Sequence, residues 1–389
     1  MNLTPYKWIS VVGARPQFVK LAPICRAIET HNAGAVAPQI EHVIVHTGQH
    51  YDREVAELLF IQMAIPEPKH NLGVGSGSFG TQIARMIERL EPVLDEERPD
   101  FVIVYGDTNS TLAGAIVASR MNLRLAHVEA GCRSYDLRTP EEQNRIVTDQ
   151  LSELLFVPSQ NAIENLHREG LGTSTDPAAR RVMNVGDVMY DALLHNRRLA
   201  QRAAASNLRD LGLKQRAYDL LTIHRAENTN DTQRLRAILD AVGSLDLPVL
   251  FPVHPRTKHI LAQHEIRLPS NVVAIPPAGF LEMLGFEESA RIILTDSGGV
   301  QKEAFYLGVP CITLRDCTEW PETVDLGANR IAGTTKNSIL AAIHESFGGK
   351  REPGSPYGDG HAAIKIVQEL LAASERSNRV ANEMTSAKA

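Results

Sequence analysis

Short apolar runs rich in Val and Ile recur from Trp8 onward, separated by longer stretches with helical periodicity, and this alternation constrains the chain more than any other feature. Such runs lack the polar face of a half-exposed hairpin strand. They suit parallel strands covered on both sides by crossover helices, so the fold class is α/β. Strand candidates in the first half are residues 8–12, 41–46, 101–105, 125–128 and 154–157, with 109–120 among the intervening helices. A second series begins near 182–185 and continues through 220–223, 249–253, 272–275, 291–295 and 310–314.

At 389 residues the chain exceeds what one hydrophobic core usually serves, so two domains are expected. Turn formers and charge in LGTSTDPAARR interrupt the pattern between Gly170 and Gly186. The expected division is 1–178, 179–360, a last helix over 361–375 and a flexible polar tail over 376–389.

The hydrophobic fraction of 43% and charged fraction of 22% are ordinary globular values, and no apolar run approaches bilayer length. The first residues lack the pattern of a secretory signal, so a soluble, cytoplasmic protein without a membrane partner is expected. A net charge of −6 gives no basic footprint for nucleic acid, and an anionic ligand requires a local positive site. Cys25, Cys132, Cys311 and Cys317 are scattered, without zinc-ligand spacing, and read as reduced packing residues.

Ligands of open parallel sheets bind beyond the carboxyl ends of the strands. Those ends carry Arg15, Gln49 with His50, Asp107, Glu129, His224 with Arg225, His254 with Arg256, and Ser297 with Gly298 and Gly299. In LTDSGGVQKEA a strand runs through Asp-Ser-Gly-Gly into a helix, an arrangement that offers N–H groups and a helix dipole to a phosphate; capping by Asp296 or Ser297 explains the same residues. Arg15 and Lys20 supply positive charge for a diphosphate, or solvate a surface. Glu129 directly after an apolar strand is either functional or ion-paired with Arg133, and Asp107 is either functional or a helix cap. Locally, Glu141 and Glu142 are ordinary first-turn helix acids, and His224 is as well explained by the core as by catalysis. The stretch HNLGVGSGSFG reads as a flexible surface loop. Neither a Walker motif nor Gly-x-Gly-x-x-Gly after the first strand is present, which disfavours a nicotinamide oxidoreductase.

The blocks GARPQFVK, HTGQHYD, NLGVGSGS, VYGDTNSTLAGA, HVEAGCRS, TPEEQNR, HRAEN, FPVHPRT, LTDSGGVQKEA and RDCTEWPE, in that order, resemble the non-hydrolysing UDP-N-acetylglucosamine 2-epimerases from Gly13 through Arg330. The resemblance implies two Rossmann-like domains facing across a cleft, the glycosyltransferase-B type, with the C-terminal helix crossing back to the first. It implies a homodimer and a UDP-sugar substrate for surface polysaccharide precursors. Carried over by position, it makes Asp107, Glu129, Glu141 and His224 the catalytic group. It also places the diphosphate on Arg15, Ser297, Gly298 and Gly299, the ribose on Glu303 and the uracil near Phe280, with Lys20 and His254 among the UDP-binding residues. Cys132 stands where the family usually has Leu, and Lys302 where it often has Glu.

The implied reaction inverts carbon 2 of the sugar. A proton there is not acidic beside an amide, so loss of UDP from the anomeric carbon must accompany its removal and give a 2-acetamidoglucal. That chemistry asks for acid and base groups on both sugar faces and an electrostatic hold on the leaving diphosphate, but for neither a metal nor a redox cofactor. Another UDP-2-acetamido sugar, such as a 2,3-diacetamido uronate, and a non-catalytic sugar-nucleotide sensor are the competing readings.

Overall fold

A computed structural model describes residues 4–34, 38–49, 59–174, 180–345 and 355–386, with side chains through 376. The chain divides into two compact units, Met1–Ala192 with Ser355–Ala389, and Leu193–Gly354.

The first unit holds a seven-stranded sheet: β1 (Tyr6–Val12), β2 (Ile40–His46), β3 (His70–Asn71), β4 (Phe101–Tyr105), β5 (Leu125–Val128), β6 (Leu154–Val157) and β7 (Arg181–Asn184). The strands lie in the order β3-β2-β1-β4-β5-β6-β7, and every pairing is parallel. All five residues of FVIVY in β4 are buried, as the two-sided cover of a parallel strand demands. Ile9, Val11, Val102 and Val104 pack on one face with Met86, Leu90 and Leu94 of the helix Phe79–Glu97.

The second unit holds β8 (Asp219–Thr222), β9 (Val249–Pro252), β10 (Val272–Ile275), β11 (Ile293–Thr295), β12 (Cys311–Thr313) and β13 (Asn329–Ile331), in the order β10-β9-β8-β11-β12-β13, again all parallel. Both sheets reverse direction of winding once, between β1 and β4 and between β8 and β11. Residues leaving these four strands therefore flank the crevice where doubly wound sheets take their ligands.

Three expectations need correction. The strand expected near 182–185 to open the second series is β7, paired with β6 in the first sheet. The helix Val188–Asp210 that follows β7 carries the chain past the division between the units. The expected boundary at 178/179 lies outside the described residues.

The last helix also runs further than expected, Ala362–Ser386. The tail contains neither Pro nor Gly and is rich in residues of adequate helix propensity. Asp191 caps this helix by accepting from the Ala362 and Ala363 N–H groups at 3.1 and 2.8 Å. Arg181 meets Glu369 at 2.9 Å, and Arg124 donates to the Ala373 carbonyl.

The Gly/Ser stretch after His70 is pinned rather than free. Val74 and Gly75 donate to Thr47 and Gly48 carbonyls, so the loop extends the edge of the sheet that β3 begins. The sequence shows neither β3 nor β13, because two or three residues make no periodic signal.

Candidate active site

At the first sheet's switch point, β1 gives way to the helix Arg15–Ala33, and Arg15 is its first residue. Gly13 is obligatory there, since a Cβ would lie 1.8 Å from the Thr47 hydroxyl. Buried Gln17 accepts from the Gly13 and Ala14 N–H groups and donates to the Tyr105 carbonyl, fastening the exit of β1 to that of β4. Sequence reading passed over Gln17.

Asp107 follows β4. It is not a helix cap: Thr108 caps Asn109–Arg120 by accepting from the Thr111 N–H. The Asp107 carboxylate accepts instead from Arg145, 2.5 Å away on the helix Pro140–Leu151. Glu129 follows β5 with φ at 71°, a left-handed conformation that a non-glycine residue adopts at a cost of about 1–3 kcal/mol. Its partner is not Arg133 but Lys20, and both side chains of this ion pair are nearly buried. Arg133 is committed to Asp149 at 2.8 Å and Glu169 at 2.7 Å.

Glu141 and Glu142, adjacent in sequence, do different work. Glu142 is fully buried and accepts from the Ser134 and Tyr135 N–H groups and from Arg145. Burial pushes its carboxyl upward, but the Ser134 amide, Arg145 and the Tyr135 amide together hold it below the ordinary carboxylate value. It fixes the loop between β5 and the helix. Glu141 is half-buried one residue earlier, without a hydrogen bond or ion pair among the described residues. Asp107, Glu129 and Glu141 are thus all supported from the β4 and β5 exits and one helix.

At the second sheet's switch point, β8 delivers His224 and β11 delivers Asp296, Ser297 and Gly298. Asp296 is fully buried and is not the helix cap; it accepts from the N–H groups of His224 and Arg225 and from Asn228. The His224 Nδ1 lies 3.1 Å from the same carboxylate. Burial raises Asp296, but the His224 hydrogen bond and charge and the two amides hold it below its ordinary value. A carboxylate only accepts, so Nδ1 donates and Nε2 points elsewhere.

Ser297 caps the helix Gly298–Leu307 by accepting from the Val300 N–H. The helix starts with two glycines, and a Cβ at Gly298 would meet the Trp320 Nε1 at 3.2 Å and Glu319 at 3.5 Å. Glu303 is half-buried within the first two turns. His254 caps Pro255–Gln263 beyond β9, with its ring 5.6 Å from that of His224. Phe280 is buried at the start of the helix beyond β10, one position after its cap Gly279. In the first unit Arg15, Lys20, Asp107, Glu129 and Glu141 stand on the exits of β1, β4 and β5 and the helices that follow them; in the second, His224, Ser297, Gly298, Gly299 and Glu303 follow the switch-point strands β8 and β11, His254 reaches His224 from beyond β9, and Phe280 stands apart beyond the edge strand β10.

The family model described as UDP-N-acetylglucosamine 2-epimerase matches residues 33–371. A UDP-N-acetylglucosamine 2-epimerase homolog of Methanococcus maripaludis is 44% identical over 94% of this chain and 99% of its own. The UDP-2,3-diacetamido-2,3-dideoxy-D-glucuronate 2-epimerase of Pseudomonas aeruginosa is 42% identical, with the same 94% and 99% coverage. Among solved structures, the Methanocaldococcus jannaschii UDP-GlcNAc 2-epimerase in complex with UDP-GlcNAc and UDP matches with a TM-score of 0.85 and 41% identity, over 94% of this chain and 99% of that one. With agreement of this extent in sequence and structure, the chain belongs to the UDP-N-acetylglucosamine 2-epimerase family and is an isomerase.

Proposed function

We propose that this chain interconverts UDP-N-acetylglucosamine and its carbon-2 epimer, UDP-N-acetylmannosamine, by eliminating UDP and adding it back. In the forward step the anomeric C–O bond breaks with its electron pair leaving on UDP. The carbon-2 proton passes to an enzyme base, and a C1–C2 double bond forms. In the return step a proton enters carbon 2 from the opposite face and a UDP oxygen rebonds to carbon 1. Asp107, Glu129 and Glu141 are the acid and base groups, with Lys20 acting through Glu129 rather than on the diphosphate. Arg15, His224 and the helix start at Ser297, Gly298 and Gly299 hold the diphosphate, His254 flanks His224, Glu303 takes the ribose and Phe280 lies by the uracil.

The observation that carries this reading is the pairing of acids with buried cations at the first switch point, Glu129 with Lys20 and Asp107 with Arg145. Glu142, also paired with Arg145, is sealed; the Asp107 side chain is 33% exposed and that of Glu129 10% exposed, so both keep an edge open to a ligand. Incubation with UDP-N-acetylglucosamine in deuterium oxide, followed by NMR, should give the manno epimer with deuterium at carbon 2. Free sugar and UDP, or unchanged substrate, would refute the assignment. Light scattering tests the proposed homodimer by its mass, twice that of the chain.

The Pseudomonas relative makes a diacetamido uronate the second substrate to test. A substrate carboxylate needs a cation. Arg133 and Arg145 are buried and bridged to Asp149 with Glu169 and to Asp107 with Glu142, which supports the uncharged sugar. Arg138, 90% exposed and beside Asp136, is the arginine of this loop that a uronate can reach.

A further inference from the structure

We propose that His127 is a positioning residue that sets the geometry between the two acids Asp107 and Glu129. It sits in β5, two residues before Glu129, and is fully buried. Its Nε2 lies 2.7 Å from the Gly106 carbonyl, and its Nδ1 lies 2.6 Å from the Asp149 carboxylate. Both neighbours are acceptors, so the ring donates from both nitrogens.

The Gly106 carbonyl belongs to the peptide unit that joins Gly106 to Asp107. Holding that oxygen fixes the peptide plane and with it the direction in which the Asp107 side chain leaves the backbone. Gly106 has φ at 61° and no side chain of its own to resist rotation. On the other side, Asp149 also accepts from the Gly131 N–H at 3.1 Å, so the same carboxylate secures the turn that carries Glu129. Asp149 lies on Pro140–Leu151, the helix that bears Glu141 and sends Arg145 to Asp107. One imidazole thereby ties the β4 exit, the β5 exit and this helix into a closed frame without facing the substrate.

The inference rests on Asp107 and Glu129 acting as proposed above, and its test separates the two ideas. An Asn amide nitrogen occupies roughly the place of Nδ1, and a Gln amide nitrogen that of Nε2. His127→Asn therefore keeps the donor to Asp149 and loses the one to Gly106, whereas His127→Gln does the reverse. Since a displacement of about 1 Å at a reacting group costs about 10²-fold in rate, kcat of H127N should fall by about 10²-fold with KM little changed, and H127Q should recover at least about tenfold of that loss. Kinetics use whichever UDP sugar, the N-acetylglucosamine or diacetamido uronate form, the wild-type chain epimerises. Equal kcat in wild type and H127N, or no recovery in H127Q, overturns the proposal. A second measurement needs no substrate. The Gly106 N–H, which donates to Val128, should exchange with deuterium faster in H127N and at the wild-type rate in H127Q; equal rates in all three refute the positioning role. If wild type epimerises neither sugar, the substrate reading fails while the exchange comparison still decides the role of His127.

Discussion

The two switch points are built with opposite polarity. In the first unit the acids presented have buried cations behind them, Lys20 behind Glu129 and Arg145 behind Asp107, with Arg15 as a basic group on the same edge. In the second unit the groups presented are the His224 ring and the helix start at Ser297, and the buried charge behind them is the acid Asp296, which accepts from the His224 ring and the Arg225 N–H. The same strand order thus carries acids backed by buried cations on one sheet and a histidine and a glycine-led helix start backed by a buried acid on the other. In each case the buried opposite charge offsets the cost of gathering like groups at one strand edge.

The contrast can be broken most severely at Asp296. Replacement by Ala leaves the His224 and Arg225 N–H groups and Asn228 without their shared acceptor, and each buried donor left without a partner costs about 1–3 kcal/mol. Urea denaturation of D296A should show that drop, and UDP binding by calorimetry should be lost. Tight UDP binding by a folded D296A protein would show that the anion site does not depend on the buried acid.

Lys20→Met is the complementary break in the first unit. It removes the cation that Glu129 faces while filling a similar volume. We expect kcat to fall by about 10²-fold, the scale of a general acid or base, with UDP affinity little changed, because Lys20 is spent on Glu129 while Arg15 and the Ser297 helix start, the proposed diphosphate groups, stay intact. Weaker UDP binding with unaltered kcat would return Lys20 to the diphosphate, where the family resemblance placed it.

Much of this architecture was legible in the sequence, and its limits follow from physical causes. β4, β5 and β6 begin and end where their apolar runs do, because both faces are buried. β7 was assigned to the wrong sheet because an edge strand with the half-buried pattern of RVMN carries no label for the sheet it joins. Asp107 and Glu129 stood out as acids at strand ends, whereas Glu142 looked like any first-turn acid. Its burial depends on the Ser134 and Tyr135 amides folding back over it, which is a tertiary event. Gln17, His127 and Asp149 escaped for the same reason: each acts by reaching another loop, and no local pattern records that reach.

A charge cluster away from both switch points supplies a reference. Glu97 ends the helix before β4 and meets Lys7, Lys69 and His70. Burial would raise its carboxyl, but hydrogen bonds from Lys69, His70 and Lys7 bring it down to about 2. A depressed folded value means that the contribution is complete above the ordinary carboxylate value of 4.5 and fades as pH falls from there toward about 2. Stability measured between pH 6 and about pH 2 should fall less steeply in Glu97→Gln, which should itself be less stable at pH 6 by on the order of 2 kcal/mol. An identical acid profile would mean that other carboxylates, Asp149 and Asp296 among them, carry the acid sensitivity.

The smallest expected effect bears on the substrate. Arg138 pairs with Asp136 at 2.8 Å but is 90% exposed, so Arg138→Ala should change stability by less than about 0.5 kcal/mol. If the N-acetylglucosamine nucleotide, whose sugar carries no charge, is the substrate, its KM should not move, because that sugar offers Arg138 no anion. If the chain takes a uronate, KM for the uronate should rise by about tenfold, the scale of one lost charge-assisted hydrogen bond. The two sugars measured side by side on wild type and R138A then show whether the acidic edge of the first unit, whose buried arginines are already committed to Asp107, Glu142, Asp149 and Glu169, accepts a third negative charge from its substrate.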